Sequence, residues 1–310
     1  RQKDPKPGMT RVNQVFVGKE EISEKEIKTY LKFFREYKTS LERKAEHLFD
    51  LSHYNKKPDG LTKIYKPDFK LNNNIFINVD GLYWHSDLVK EKNYHFTVRK
   101  EFENDNMRIF QFREDEILNK SKIVKSIIDN ANKNTPNKIF ARKTKIKIIA
   151  NKLASKFLEN NHLMGTTNAK HVGLFFNEVL VTIMSYKFYK ATKVLKIERF
   201  CSLVGANVLG GFSKLLKFVE GTDTMSEIHN WVDLRYGTGN HLLSKGFIKE
   251  REILGWKWTD GKNTFNRLRC KANMKNSGRS EKEEAKLLGV FKIHDAGQRL
   301  WIKNVNPSSQ

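Results

Sequence analysis

The sequence predicts an α/β chain of two domains, and three observations lead to that fold class. Two short runs of β-branched and aromatic residues, Lys63–Lys70 and Ile75–Val79, flank Asn72-Asn73-Asn74 and read as a β-hairpin set among helical patterns. A polar segment at residues 131–137, ANKNTPN, then breaks the apolar patterning and reads as a linker. Beyond it strand-like alternation returns at Val172–Phe176 and Val179–Tyr186, turning at Asn177-Glu178, before a glycine pair opens a helix. A length of 310 residues suits two domains of ordinary size.

Taken in order, residues 1–22 read as a flexible lead-in. At Ser23 and Glu26 the string S-E-K-E is a capping box ahead of Ile27, Tyr30, Leu31, Phe33 and Phe34. A second helix is expected from about Ser40, with Leu41, Ala45, Leu48 and Leu51 on its buried side; Glu42 and Glu46 then lie one turn apart on one face. After the hairpin, Leu88–Glu103 reads as a helix, Met107–Phe112 as a strand, and residues from Arg113 to about Asn130 as another helix. The first domain is therefore placed at residues 23–130 and the second at 138–310. In the second, a helix is expected at Asn151–Asn160 and further strands at Leu195–Leu203 and Trp231–Leu234. A helix at Phe212–Val219 and a short one from Asn240 stopped at Gly246 complete the pattern.

Charge narrows the function classes. Lys and Arg number 58 against 35 Asp and Glu, a net +23. Residues 1–136 carry 27 basic and 21 acidic side chains, a net +6, which leaves +17 on residues 137–310. Such an excess suits a polyanionic partner, and with no lipid-anchor pattern nucleic acid is expected before a membrane. No apolar run approaches a membrane span, and the opening RQKDPKPGMTRVNQ lacks the apolar centre of a secretory signal. Cys201 and Cys270 match no zinc spacing and are too few for a disulfide framework, so a cytoplasmic setting is expected. A start at Arg1 reads as a fragment or processed chain.

The chemistry-bearing residues cluster around the hairpin. Asp68, Asp80 and His85 fall at its ends, and two carboxylates with an imidazole can hold a divalent cation, activate water and protonate a leaving oxygen. The strings PDF and VDGLYWHS, with KNYHFTVRKEFE and MRIFQFREDEIL downstream, resemble the Vsr-like branch of the PD-(D/E)xK nucleases. The resemblance is closest to phage-type EDxHD homing endonucleases and runs from about Leu41 to Ile128. It implies a restriction-endonuclease-type core and a metal-dependent endonuclease, phage- or bacterium-encoded, that hydrolyses double-stranded DNA. Asp68 with the Val79 carbonyl would ligate Mg²⁺ (or Mn²⁺), and Asp80 and Glu42 would act through water, with Glu46 the fallback for Glu42. His85 would serve as general base or acid, because Asn78-Val79-Asp80 offers no lysine where acid-x-Lys is usual. His95 and Arg99, one helical turn apart, either face the cleft, with Arg99 on a phosphate, or are structural.

The second half resembles a GNAT-type acyltransferase fold. In that family a glycine-rich turn opening a helix holds the phosphates of coenzyme A through backbone N–H groups; Asn207-Val208-Leu209-Gly210-Gly211 occupies the corresponding place, with Asn207 where Arg or Gln is usual. The basic, glycine-flanked stretch from Gly261 to Arg279 suggests phosphate tracking by Arg267, Arg269 and Lys271, and hence a GNAT-like scaffold used for DNA targeting. Two rival readings stay open: a nonenzymatic DNA-binding protein with a degenerate nuclease fold, and an acyltransferase or DNA-modification enzyme.

Overall fold

The computed structural model describes residues 39–271 and 278–305; the expected lead-in and the helix from Ser23 lie outside them. Helix α1 (Ser40–Phe49) begins where the Thr39 hydroxyl accepts the Glu42 N–H and ends on Asp50 in the left-handed region. Strands β1 (Phe69–Asn72) and β2 (Ile75–Asp80) form the expected antiparallel hairpin. The Asn72 side chain makes its turn, accepting the N–H groups of Asn74 and Ile75. Helix α2 (Tyr94–Asn104) crosses over to β3 (Arg108–Arg113), which pairs parallel to β2. Alternation then sends residues to two layers. Ile77, Phe110 and Phe112 pack with Phe49 of α1 and with Ile117 and Val124 of α3 (Glu114–Asn119) and α4 (Ser121–Ala131). Phe76 and Ile109 face Val98 and Phe102 of α2.

Two expected boundaries move, for visible reasons. The first strand starts at Phe69 and not near Lys63, because Asp68 and Pro67 give their carbonyls to Tyr54 and Asn55 instead of to a ladder. The helix expected from Leu88 starts at Tyr94, because the preceding loop is drawn elsewhere: Ser86 bridges to Ile293 and the Asp87 N–H donates to the Lys292 carbonyl.

The second half centres on a seven-stranded sheet ordered β11-β15-β10-β8-β7-β6-β5. Its members are β5 (Lys145–Ile148), β6 (Lys170–Phe176), β7 (Val179–Tyr189), β8 (Val194–Ser202), β10 (Glu227–Asp233), β11 (Ile248–Ile253) and β15 (Gln298–Asn304). Helix α5 (Asn151–Asn161) packs on one face through Ala154, Phe157 and Leu158. Helix α6 (Gly211–Glu220) packs on the other through Leu215, Leu216 and Val219. Every pairing in this sheet is antiparallel except β8 with β10, which the chain joins by way of α6. Short β4 (Asn137–Phe140), at the end of the expected linker, pairs parallel to β9 (Ala206–Leu209). A three-stranded sheet of β12 (Trp256–Thr259), β13 (Thr264–Phe265) and β14 (Phe291–His294), flanked by α7 (Glu281–Leu287), docks on the loop around Ser86.

Buried charge joins the halves. Arg235, 2% exposed, donates to Glu116 at 2.8 and 2.9 Å and to Asp233 at 2.9 Å. Arg113 reaches Asp295 at 2.7 Å, and Arg299 contacts both Glu103 and Glu252. No described helix is long and apolar enough to cross a membrane.

Candidate functional site

Two places gather polar chemistry. The first lies at the C-terminal end of β2, where the sheet lifts Asp80 and the following turns bring in His85, with His95 from the first turn of α2. His85 Nδ1 lies 3.2 Å from His95 Nε2 and 3.4 Å from Asp80, and His95 Nδ1 lies 3.0 Å from Gln111 Oε1. Asp80, His85 and His95 are the one group of three among the described residues that could share a metal ion. Burial pushes His95 down to about 4 and lowers His85 too, the Asp80 carboxylate only partly opposing it. Both rings are therefore neutral near pH 7, each with a lone pair to offer.

Asp68 stands beside this group and not within it. Its carboxylate accepts the Val79 N–H at 2.8 Å, and desolvation followed by the nearby Glu42 charge raises its pKa well above the usual range. Glu42 itself engages His53 at 3.0 Å and the Thr39 hydroxyl. The structure thus brings Glu42, Asp68, Asp80, His85 and His95 to one end of the small sheet. The donor set differs from the expected one: two imidazole nitrogens and one carboxylate, where Mg²⁺ prefers oxygen ligands. Sequence reading missed Gln111 and His53; an isolated Gln in the apolar strand RIFQFR was the one available signal.

Arg99 is a correction. It is 3% exposed, and its guanidinium is taken up by Glu103, Glu252 and the Ala296 carbonyl, so it faces no phosphate. Arg267 is half-buried against Trp256, donating to its carbonyl at 2.9 Å, while Arg269 lies over Phe265 and Lys271 is exposed. Residues 272–277 of this basic stretch lie outside the described residues.

The second place is a cleft of about 460 Å³ in the seven-stranded sheet. Strands β8 and β10 pair from Glu227↔Val194 to Asn230↔Ile197 and then separate. Past that point Glu198, Arg199 and Phe200 of β8 line one wall and Trp231 and Val232 of β10 the other. Phe212, in the first turn of α6, closes one end. Before it Gly210 takes φ 80°, the left-handed region a side chain disfavours, and no side chain caps the start of the helix there. On the floor Arg235 holds Asp233 below its usual range against the push of burial, and burial drives Tyr236 upward. His162 at the rim is depressed to about 3 by burial and then by Arg199.

No family model matches the chain, and no curated protein does. Solved structures do match. An IAA acetyltransferase from Bacillus cereus shares 10% identity over 52% of this chain and 99% of its own, with a TM-score of 0.32. An acetyltransferase from Bacillus subtilis in complex with CoA shares 11% over 53% of this chain and 100% of its own, at 0.31. N-acetylglutamate synthase from Neisseria gonorrhoeae, complexed with coenzyme A and N-acetyl-glutamate, shares 11% over 44% of this chain, at 0.25; the match spans 26% of that enzyme's length. The reading as a Mg²⁺- or Mn²⁺-dependent hydrolase, a homing endonuclease with a Vsr-like core, is corrected on two counts. The three structures named are of acetyltransferases or an N-acetylglutamate synthase, described with coenzyme A in two cases, and the donor set at Asp80 is not one Mg²⁺ selects. What stands of the expected architecture is a mixed α/β chain.

Proposed function

We propose that the second half binds an acyl-coenzyme A in the cleft between β8 and β10 and transfers its acyl group to an amine. The observation that carries this reading is the separation of a parallel strand pair beside a glycine-opened helix. A crevice outside the carboxyl ends of parallel strands is where an open α/β sheet takes ligands, and about 460 Å³ falls within the range of small-molecule sites. The unzipped edges expose backbone donors and acceptors at strand spacing, which suits a pantetheine arm, itself a chain of amides. The start of α6 offers N–H groups and the positive end of a helix dipole to the pyrophosphate.

In this site the amine lone pair attacks the thioester carbonyl, the C–S bond breaks, and the thiolate takes a proton. Glu198, at the point where pairing stops, is placed to accept the amine's proton. An N–H on the open edge of β8 is placed to hold the developing oxyanion. The test is calorimetry with acetyl-coenzyme A, followed by release of free thiol with spermidine, lysine and oligonucleotide acceptors. Glu198→Gln should keep the binding heat and lose about 100-fold or more in thiol release. Absence of heat at millimolar acetyl-coenzyme A would sink the reading.

A further inference from the structure

The stretch from residue 130 to 158 contains no Asp or Glu, yet carries Lys133, Lys138, Arg142, Lys143, Lys145, Lys147, Lys152 and Lys156. All eight are exposed. Among the described residues only Lys147 makes an ion pair, with Glu178 at 2.5 Å, and Glu178 also feels Lys145. The fold gathers the central part into one ribbon: β4, a single 3-10 turn (Ala141–Lys143) and the edge strand β5. Lys145 and Lys147, two apart on β5, point to one side. In the ribbon's middle Phe140 is 44% exposed, and the Arg142 guanidinium sits 5.0 Å from its ring centroid. Soluble surfaces ordinarily intersperse both signs. A single-sign ribbon around an exposed, cation-stacked aromatic ring departs from that pattern in the direction of a polyanion with flat bases.

We infer that the ribbon from Asn137 to Lys152 is a nucleic-acid-binding face, its Lys and Arg side chains on backbone phosphates and Phe140 against a base. Neutralising phosphates releases condensed counterions, so affinity falls linearly with salt on logarithmic axes. Stacking on an aromatic ring adds a term tolerant of sequence. The inference does not depend on the acyl-transfer reading, because the ribbon lies outside the cleft's lining.

The test uses the full chain and fluorescence anisotropy with a labelled duplex and the matching single strand, from about 50 to 200 mM salt. One variant is Lys138→Gln/Arg142→Gln/Lys145→Gln. Its control is Lys187→Gln/Lys190→Gln/Lys193→Gln, which removes the same charge from the β7–β8 hairpin. The ribbon variant should lose affinity by on the order of tenfold or more, with a salt slope shallower by about two to three units, while the control loses little. Phe140→Ala should weaken the single strand more than the duplex if bases stack there; equal loss on both would confine the face to phosphates. Equal losses in the two charge variants would reduce the effect to net charge and overturn the proposal. So would displacement of nucleic acid by coenzyme A at one equivalent, which would hand the ribbon to the acyl donor. Binding to phosphatidylserine vesicles without binding to either oligonucleotide would overturn it as well.

Discussion

Replacing Arg235 by Met removes one guanidinium that serves two buried carboxylates. Arg235 is 2% exposed, Glu116 5%, and the Asp233 side chain, at the cleft, 14%. Burial pushes both acids toward protonation, but Arg235 outweighs it and holds each below its usual range. Removing the cation therefore leaves two desolvated charges, and breaking such a pair costs about 3–5 kcal/mol. The sign with pH follows from the depressed folded values. The native network is fully stabilising above the unfolded carboxylate pKa and is lost as pH falls through the folded one. In the variant the two acids protonate readily, so the deficit should be largest near pH 8 and shrink toward pH 4. Urea unfolding followed by Trp fluorescence at both pH values measures it. Arg235→Met/Glu116→Gln should recover part of the loss. A deficit below about 1 kcal/mol at pH 8, or one that grows as pH falls, would refute the reasoning.

Three further outcomes are expected. Gly255→Ala puts a methyl 2.0 Å from Asp295 Oδ1 and displaces the partner of buried Arg113, so it should cost about 1–3 kcal/mol in the same assay. His162 is held to about 3, so the unfolded chain binds the extra proton between pH 3 and 6.5 and stability falls as pH drops through that window. His162→Gln should flatten that slope by up to about 1.4 kcal/mol per pH unit. Millimolar Mg²⁺ should leave the Tm unchanged, since Asp80, His85 and His95 offer only one oxygen-bearing side chain; a rise would restore an oxygen-ligated site.

Local chemistry was legible in the sequence and long-range pairing was not. The Asn72 turn, the strands about Asn177-Glu178, the helix opened by Gly211 and the Gly246 stop each follow from a few adjacent residues. Asp80 and His85 were found because a hairpin places sequence neighbours together. Beyond Gly246 the reading ran out: β11 is I-K-E-R-E-I, a strand whose charges make sense only beside Arg299 and Arg99. For the same cause the sequence left Arg99 open between a phosphate contact and a structural role, since its partner Glu252 stands 153 residues away. The cleft arises from strands that stop pairing, and no residue pattern announces where a ladder ends.

The position of β15 has a consequence for how the molecule comes off the ribosome. This strand, the last described, sits between β10 and β11 and carries Arg299, which meets both Glu103 and Glu252. Helix α2 is synthesised with Arg99 and Glu103 together but waits on the order of 10 s for Glu252 at ordinary elongation rates. Until β15 has been made, β10 keeps an open edge, and Glu103 and Glu252 lack the guanidinium of Arg299. The nascent chain therefore holds two carboxylates and a bare strand in suspense, and a pause or truncation shortly before β15 would leave both exposed to the wrong partner.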